Sequence, residues 1–171
     1  MEHGRLVIFE NHFRYTPYIA VKHEGYYLFL SLDNLNRLED FVLAKNIDKH
    51  KDLFVNVKTL MIPDIIENHI EEMDTEYKPV EEYRTGIILR NKITEELSSI
   101  IIVRTFDEYS YYLIDLDTFE LQDIKKIIGD ENSDNQFSYV KDNYYTYDFN
   151  FTDLDIKIKR RWLVDQNSII W

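Results

Sequence analysis

The stretch 85–115, TGIILRNKITEELSSIIIVRTFDEYSYYLID, decides the fold. Three runs rich in β-branched and aromatic residues, Thr85–Arg90, Ser99–Arg104 and Tyr109–Asp115, are separated by polar turns. Such residues suit a pleated, half-buried surface, and short polar spacers join strands antiparallel. The middle run places Ile100, Ile101, Ile102 and Val103 in succession. Neighbouring side chains of a strand point to opposite faces, so this pattern predicts a strand covered on both sides and central in its sheet.

Upstream, Pro63 fits the first turn of an amphipathic helix that cannot continue past Pro79. At helical spacing Ile62, Ile66, Ile70 and Met73 gather on one side, and Asp64, Glu67, Glu71 and Asp74 form a stripe beside them. Further upstream, Leu6–Phe9 is a short apolar run, and Tyr18–Val21 with Tyr26–Leu30 reads as a hairpin across His23-Glu24-Gly25. A helix is expected from Ser31 or Asp33 to about Asn46, with Leu35, Leu38 and Val42 inward, and a strand over Leu53–Thr59.

Downstream, Asp117 and Glu120 read as a capping pair for a third helix, which Gly129 stops. Its last turn carries Lys125 and Lys126, and its core side holds Leu121, Ile124 and Ile128. Residues 130–136, DENSDNQ, read as a polar loop. Period-2 alternation then returns in Tyr145, Tyr147, Phe149 and Phe151, and again in Leu154, Ile156 and Ile158 across Thr152-Asp153, as a hairpin with one charged face. Ser168–Trp171 ends in an apolar triplet expected to pack on the body. No repeat of fixed period stands out. The expected fold class is α+β: mainly antiparallel sheet, in meander and hairpins, with about three helices. The 171 residues suit one compact domain, with 79–84 the one place where the chain invites subdivision.

With 44% hydrophobic residues the chain can bury a core, and the lack of cysteine removes disulfides, thiolate metal sites and cysteine nucleophiles together. The start, MEHGRLVIFENHF, is no signal peptide, and no apolar run is long enough to cross a bilayer; a cytoplasmic location, bacterial or in an infected host, is expected. The net charge of −12 argues against direct binding to nucleic-acid backbone and against anionic membranes. That charge is uneven. Residues 1–60 are neutral, 61–156 carry 23 acidic against 8 basic side chains, and 157–171 carry 1 against 4. The one basic cluster, Lys157–Arg161, is expected to pair within the molecule.

Chemical motifs are few. Pro63-Asp64 with Glu76-Tyr77-Lys78 matches the PD…(D/E)xK pattern of metal-dependent nucleases, making Asp64, Glu76 and Lys78 the candidates for catalysis. That chemistry needs both parts on adjacent strands, whereas a helix is expected after Pro63. The five histidines show no metal-ligand spacing, and His69 reads as a boundary residue on the apolar side of its helix; His12 and His23 could face each other if the first strands pair. With four glycines there is no phosphate-cradling loop, and no metal or cofactor is expected.

The expected function is a small acidic protein-binding protein. It would act as an inhibitor, or as an immunity or anti-defence factor, occupying a basic site built for nucleic acid on a protein partner. Asp64, Glu67, Glu71 and Asp74, then Asp130, Glu131 and Asp134, are the residues expected to meet that partner, their carboxylates mimicking phosphate charge. The alternatives are an accessory subunit of an assembly such as a phage particle, with the Tyr-rich hairpin as contact surface, and a metal-dependent hydrolase or nuclease.

Overall fold

The polar turns do join neighbouring antiparallel strands. The computed structural model describes residues 5–11, 14–24, 26–31, 38–39, 54–59, 62–105 and 108–154. Strands β1 (Arg5–Asn11), β2 (Arg14–His23), β3 (Tyr26–Ser31), β4 (Leu38–Glu39) and β5 (Phe54–Thr59) form one sheet in the order β4-β3-β2-β1-β5. Helix α1 (Ile62–Met73) follows. A second sheet then takes β6 (Lys78–Pro79), β7 (Ile87–Asn91), β8 (Leu97–Thr105), β9 (Glu108–Asp115), β10 (Leu121–Asp123) and β11 (Tyr144–Asn150), in the order β10-β9-β8-β7-β11-β6. Helices α2 (Ile124–Ile128) and α3 (Ser133–Asn143) precede β11. The architecture is a single α+β domain, as the spacing of apolar runs predicts.

Strand β8 lies between β7 and β9, and its register with β9 runs from Ser98↔Asp115 to Thr105↔Glu108. Ile100 and Ile101 are both buried, although they point to opposite faces. Alternation sorts the second sheet into two cores. Ile88, Leu97, Ile101 and Ile114 meet Ile62, Ile65 and Ile66 of α1 on one face. Ile87, Leu89, Ile100 and Leu113 meet Ile124 of α2 and Val140 of α3 on the other. Each such side chain contributes about 1.5–3 kcal/mol by leaving water. Where β11 bulges between Thr146 and Asn150, the buried Thr146 hydroxyl donates to the carbonyl of Ile88 at 2.8 Å.

The first sheet reaches this core through the end of β2. Val21 is buried among the α1-side residues, the Lys22 N–H donates to the Phe119 carbonyl at 2.9 Å, and a ring nitrogen of His23 lies 3.1 Å from the Leu121 carbonyl. Phe119 holds φ 55, a costly left-handed conformation for an aromatic residue, and is 2% exposed. Its burial and its bond to Lys22 hold it there.

Four expectations are corrected. Ser31 ends β3 and Leu38–Glu39 pairs with β3, at Leu30↔Leu38 and Phe29↔Glu39, within the stretch expected to be helical; 32–37 and 40–46, with Leu35 and Val42, lie outside the described residues. The third helix begins only at Ile124: Leu121 lies in β10, and the N-cap is Asp123, whose side chain accepts from the Lys125 N–H. Asp117 and Glu120 do not cap it. Asp117 lies in a turn, where Asp115 Oδ1 accepts from the N–H groups of Asp117 and Thr118, and Glu120 forms a parallel bridge with Lys22. Lys125, Lys126 and Gly129 keep their expected places at its end. The expected loop 130–136 opens α3, capped by Asn132. Past β11 the chain forms a 3-10 turn over Phe151–Leu154 rather than a strand starting at Leu154. The rest of that hairpin, the basic cluster 157–161, Ser168–Trp171, His3, His12 and His50 lie outside the described residues.

The turn 91–96 repeats the turn 115–120. In each, an Asx side chain accepts the N–H groups two and three residues on, a Thr hydroxyl accepts the N–H two further on, and the fifth residue has positive φ. Asn91-Lys92-Ile93-Thr94-Glu95-Glu96 and Asp115-Leu116-Asp117-Thr118-Phe119-Glu120 share only Thr and the final Glu, too little to show as a repeat in sequence.

Candidate functional site

Helix α1 is seated by Ile62, Ile65 and Ile66. Ile65 takes the place expected for Met73, which is 63% exposed at the end of the helix. Asp64, Glu67, Glu71 and Asp74 are all exposed, as the stripe predicts. They are not equivalent. Glu67 is bound to Arg90 of β7, whose Nη2 donates to Glu67 Oε1 at 2.7 Å. Arg90 also donates from Nε to the Tyr147 hydroxyl at 2.5 Å and from Nη1 to the Glu95 carbonyl at 2.9 Å. Burial works against its charge, but the bonds to Glu67 and Tyr147 outweigh it and raise the guanidinium pKa. Glu67 therefore ties α1 to the sheet. Asp64, Glu71 and Asp74 make no ion pair among the described residues.

The C-terminal end of the helix carries charge against its own dipole, whereas Asp64 in the first turn sits at the favourable end. Its last turn holds no basic residue, while Glu71 and Glu72 sit there and Asp74 follows at φ 48. The helix C-terminus is the negative end, so carboxylates there cost stability. His69, half-buried beside the stripe, meets the Phe149 ring edge-on at 4.5 Å, a boundary position as expected.

Asp64, Glu76 and Lys78 fall on α1, in the connection after it and on β6. The Lys78 ammonium is paired with Asp148 of β11, which raises its pKa, and does not meet Asp64 or Glu76. Among the described residues no three His, Cys, Asp or Glu side chains are placed to hold a metal.

The second acidic segment lies on the other face. Asp130 accepts the Asn132 N–H at 2.8 Å and the Asn135 side-chain amide at 2.5 Å, which hold its carboxyl below the usual range. Asp134 opens α3, and Glu131 is exposed. Because α3 covers the sheet face opposite α1, the two segments do not form one surface.

Two features escaped the sequence reading. One is the Arg90–Glu67–Tyr147 junction, whose only signal is an arginine ending the apolar run Ile87-Ile88-Leu89. The other is a corner where the Tyr77 ring, 57% exposed, stacks on Tyr145 at 4.6 Å between centroids. Lys92 Nζ lies 4.9 Å from the Tyr145 ring, and the next residue, Ile93, is 88% exposed at the tip of its turn.

No protein-family model matches this chain, and no curated protein or solved structure does. What the molecule does must be argued from its own surface. Among residues with described side chains, 18 of 21 carboxylates are exposed, against eight lysines and arginines. Five of those eight cations are already in ion pairs. The uncompensated surface among these described residues is therefore strongly negative.

Proposed function

We propose that this protein is a non-catalytic binder that presents the carboxylates of α1 to a protein partner with a basic surface. The partner site would be one built for nucleic acid, and the effect on that partner would be inhibition or immunity. The observation that supports this most is the charge at the end of α1. Glu71 and Asp74 are exposed, lie at the wrong end of the helix dipole and receive no ion pair among the described residues. Asp74 closes the helix through its backbone, its N–H donating to the Glu71 carbonyl and the Thr75 N–H to that of Ile70, but neither carboxylate makes an ion pair among the described residues, so both charges are open to a partner. A rigid helix at fixed spacing offers such charges pre-arranged, which speeds encounter with an opposite field.

Co-purification from the native host at low ionic strength tests the proposal. A basic partner should be retained, and its affinity should fall steeply as salt shortens the Debye length from about 10 Å at 0.1 M to about 3 Å at 1 M. An acidic partner, or affinity indifferent to salt, would contradict it.

A further inference from the structure

Electrostatic steering brings partners together but supplies little affinity, which in interfaces comes from a few apolar and aromatic anchors. Five large apolar side chains are strongly exposed among the described residues: Met73, Tyr77, Ile93, Tyr109 and Ile127. Tyr77 and the turn bearing Ile93, far apart in sequence, both reach Tyr145. The Tyr77 ring stacks on Tyr145, the Lys92 ammonium sits over Tyr145 and donates to the Lys141 carbonyl at 3.2 Å, and Ile93 follows Lys92. The corner adjoins the acidic helix, because Tyr77 follows α1 and Arg90 bonds both Glu67 and the Glu95 carbonyl of the turn bearing Ile93. Exposed Glu71, Asp74, Glu76, Glu95 and Glu96 lie in these same segments, with Lys78, Lys92 and Lys141 as the exposed cations, of which Lys78 is paired with Asp148. Backbone pairing is not offered here: the sheet edge is the two-residue β6, and Pro79 has no N–H to give.

We propose that this corner, the Tyr77–Tyr145 stack with Ile93 on the turn beside it, is the anchoring point for the basic partner, and that it takes a segment in which aromatic side chains alternate with arginines. The inference rests on the acidic-binder reading above. The aromatic groups of the segment stack on Tyr77 and cover Ile93, while its guanidinium groups meet the carboxylates of α1 and of the 91–96 turn. The rings set affinity, and the charges set rate and salt dependence.

Two synthetic peptides of equal length and equal arginine content, one with tryptophan and one with serine between the arginines, separate the contributions in titration calorimetry. The tryptophan peptide should bind at least about tenfold tighter, a usual effect for one buried aromatic anchor. Tyr77→Ala with Ile93→Ser should remove that advantage and leave the weaker, salt-sensitive binding of the serine peptide. Both side chains are exposed, so the variant should keep its circular dichroism spectrum. Ile127→Ser, on the opposite face, should bind like the parent. Equal binding of the two peptides, or an advantage that survives in the Tyr77/Ile93 variant, would overturn the anchor while leaving the electrostatic reading intact. Binding of neither peptide would overturn both.

Discussion

Single side chains show where this molecule is finished and where it is not. Arg90 meets Glu67, Tyr147 and the Glu95 carbonyl, so a guanidinium only 18% exposed is satisfied on three sides. Tyr83 is the opposite case. Its ring packs against Tyr111 and Phe137 on the α3 side of the sheet, while its hydroxyl is buried without a hydrogen-bond partner among the described residues. Burial, and then Tyr111, push its pKa well above the ordinary phenol value. Such an orphaned group costs about 1–3 kcal/mol. Tyr83→Phe is therefore expected to stabilise the protein by about 1 kcal/mol in urea unfolding. A raised folded pKa gives stability that is present below about pH 10 and lost as pH rises through the folded value. The Phe variant should accordingly resist alkaline unfolding better than the parent; equal stability at all pH values would mean that the hydroxyl has a partner. Neither Tyr83 nor Arg90 could be ranked from sequence, because what distinguishes them is the set of neighbours the sheet brings.

Elements were legible where their periodicity was strong. Helix α1 declares itself through Pro63 and isoleucines at helical spacing, and β8 through four apolar residues in a row. Helix α3, SDNQFSYVKDN, does not: it is mostly polar, and Gln136 and Val140 alone are fully buried on it. Its beginning is set by side chain–backbone bonds, with Asn132 accepting from the Asp134 N–H and Asp130 from the Asn132 N–H, both at 2.8 Å. The 117–123 segment misled for a related reason, since Asp115 and Thr118 satisfy a turn with the residue types that also cap helices. The cap of α3 can be read by its titration. The Asn132 N–H, and then Asn135, hold the Asp130 carboxyl below 3.8, so its contribution is complete above that pH and disappears as pH falls through the lower folded value. In an NMR titration the Asn132 amide should shift with a midpoint under 3.8, and Asp130→Ala should abolish the transition. A midpoint at or above 3.8 would show that the carboxylate is not held this way.

At the scale of the molecule, sequence gave the excess charge of 61–156 but not its division. The alternation of β7, β8 and β9 sends α1 to one face and α3 to the other, so Asp130–Asp134 cannot join Asp64–Asp74 in one contact. Sequence spacing also treated Glu67 as one of four equal carboxylates, whereas a strand residue 23 positions away claims it. Asp64, Glu71 and Asp74 remain exposed and without an ion pair among the described residues. Under the proposed function, binding and stability pull in opposite directions at the C-terminal end of α1, where carboxylates repel one another and oppose the dipole. The triple variant D64N/E71Q/D74N tests this directly, through its association rate with the co-purifying basic partner at low ionic strength. The rate is expected to fall by about tenfold or more, while E71Q alone, which leaves the favourable N-terminal charge of Asp64 in place, should hold or raise the thermal midpoint. An unchanged rate would contradict a role for the α1 carboxylates in binding.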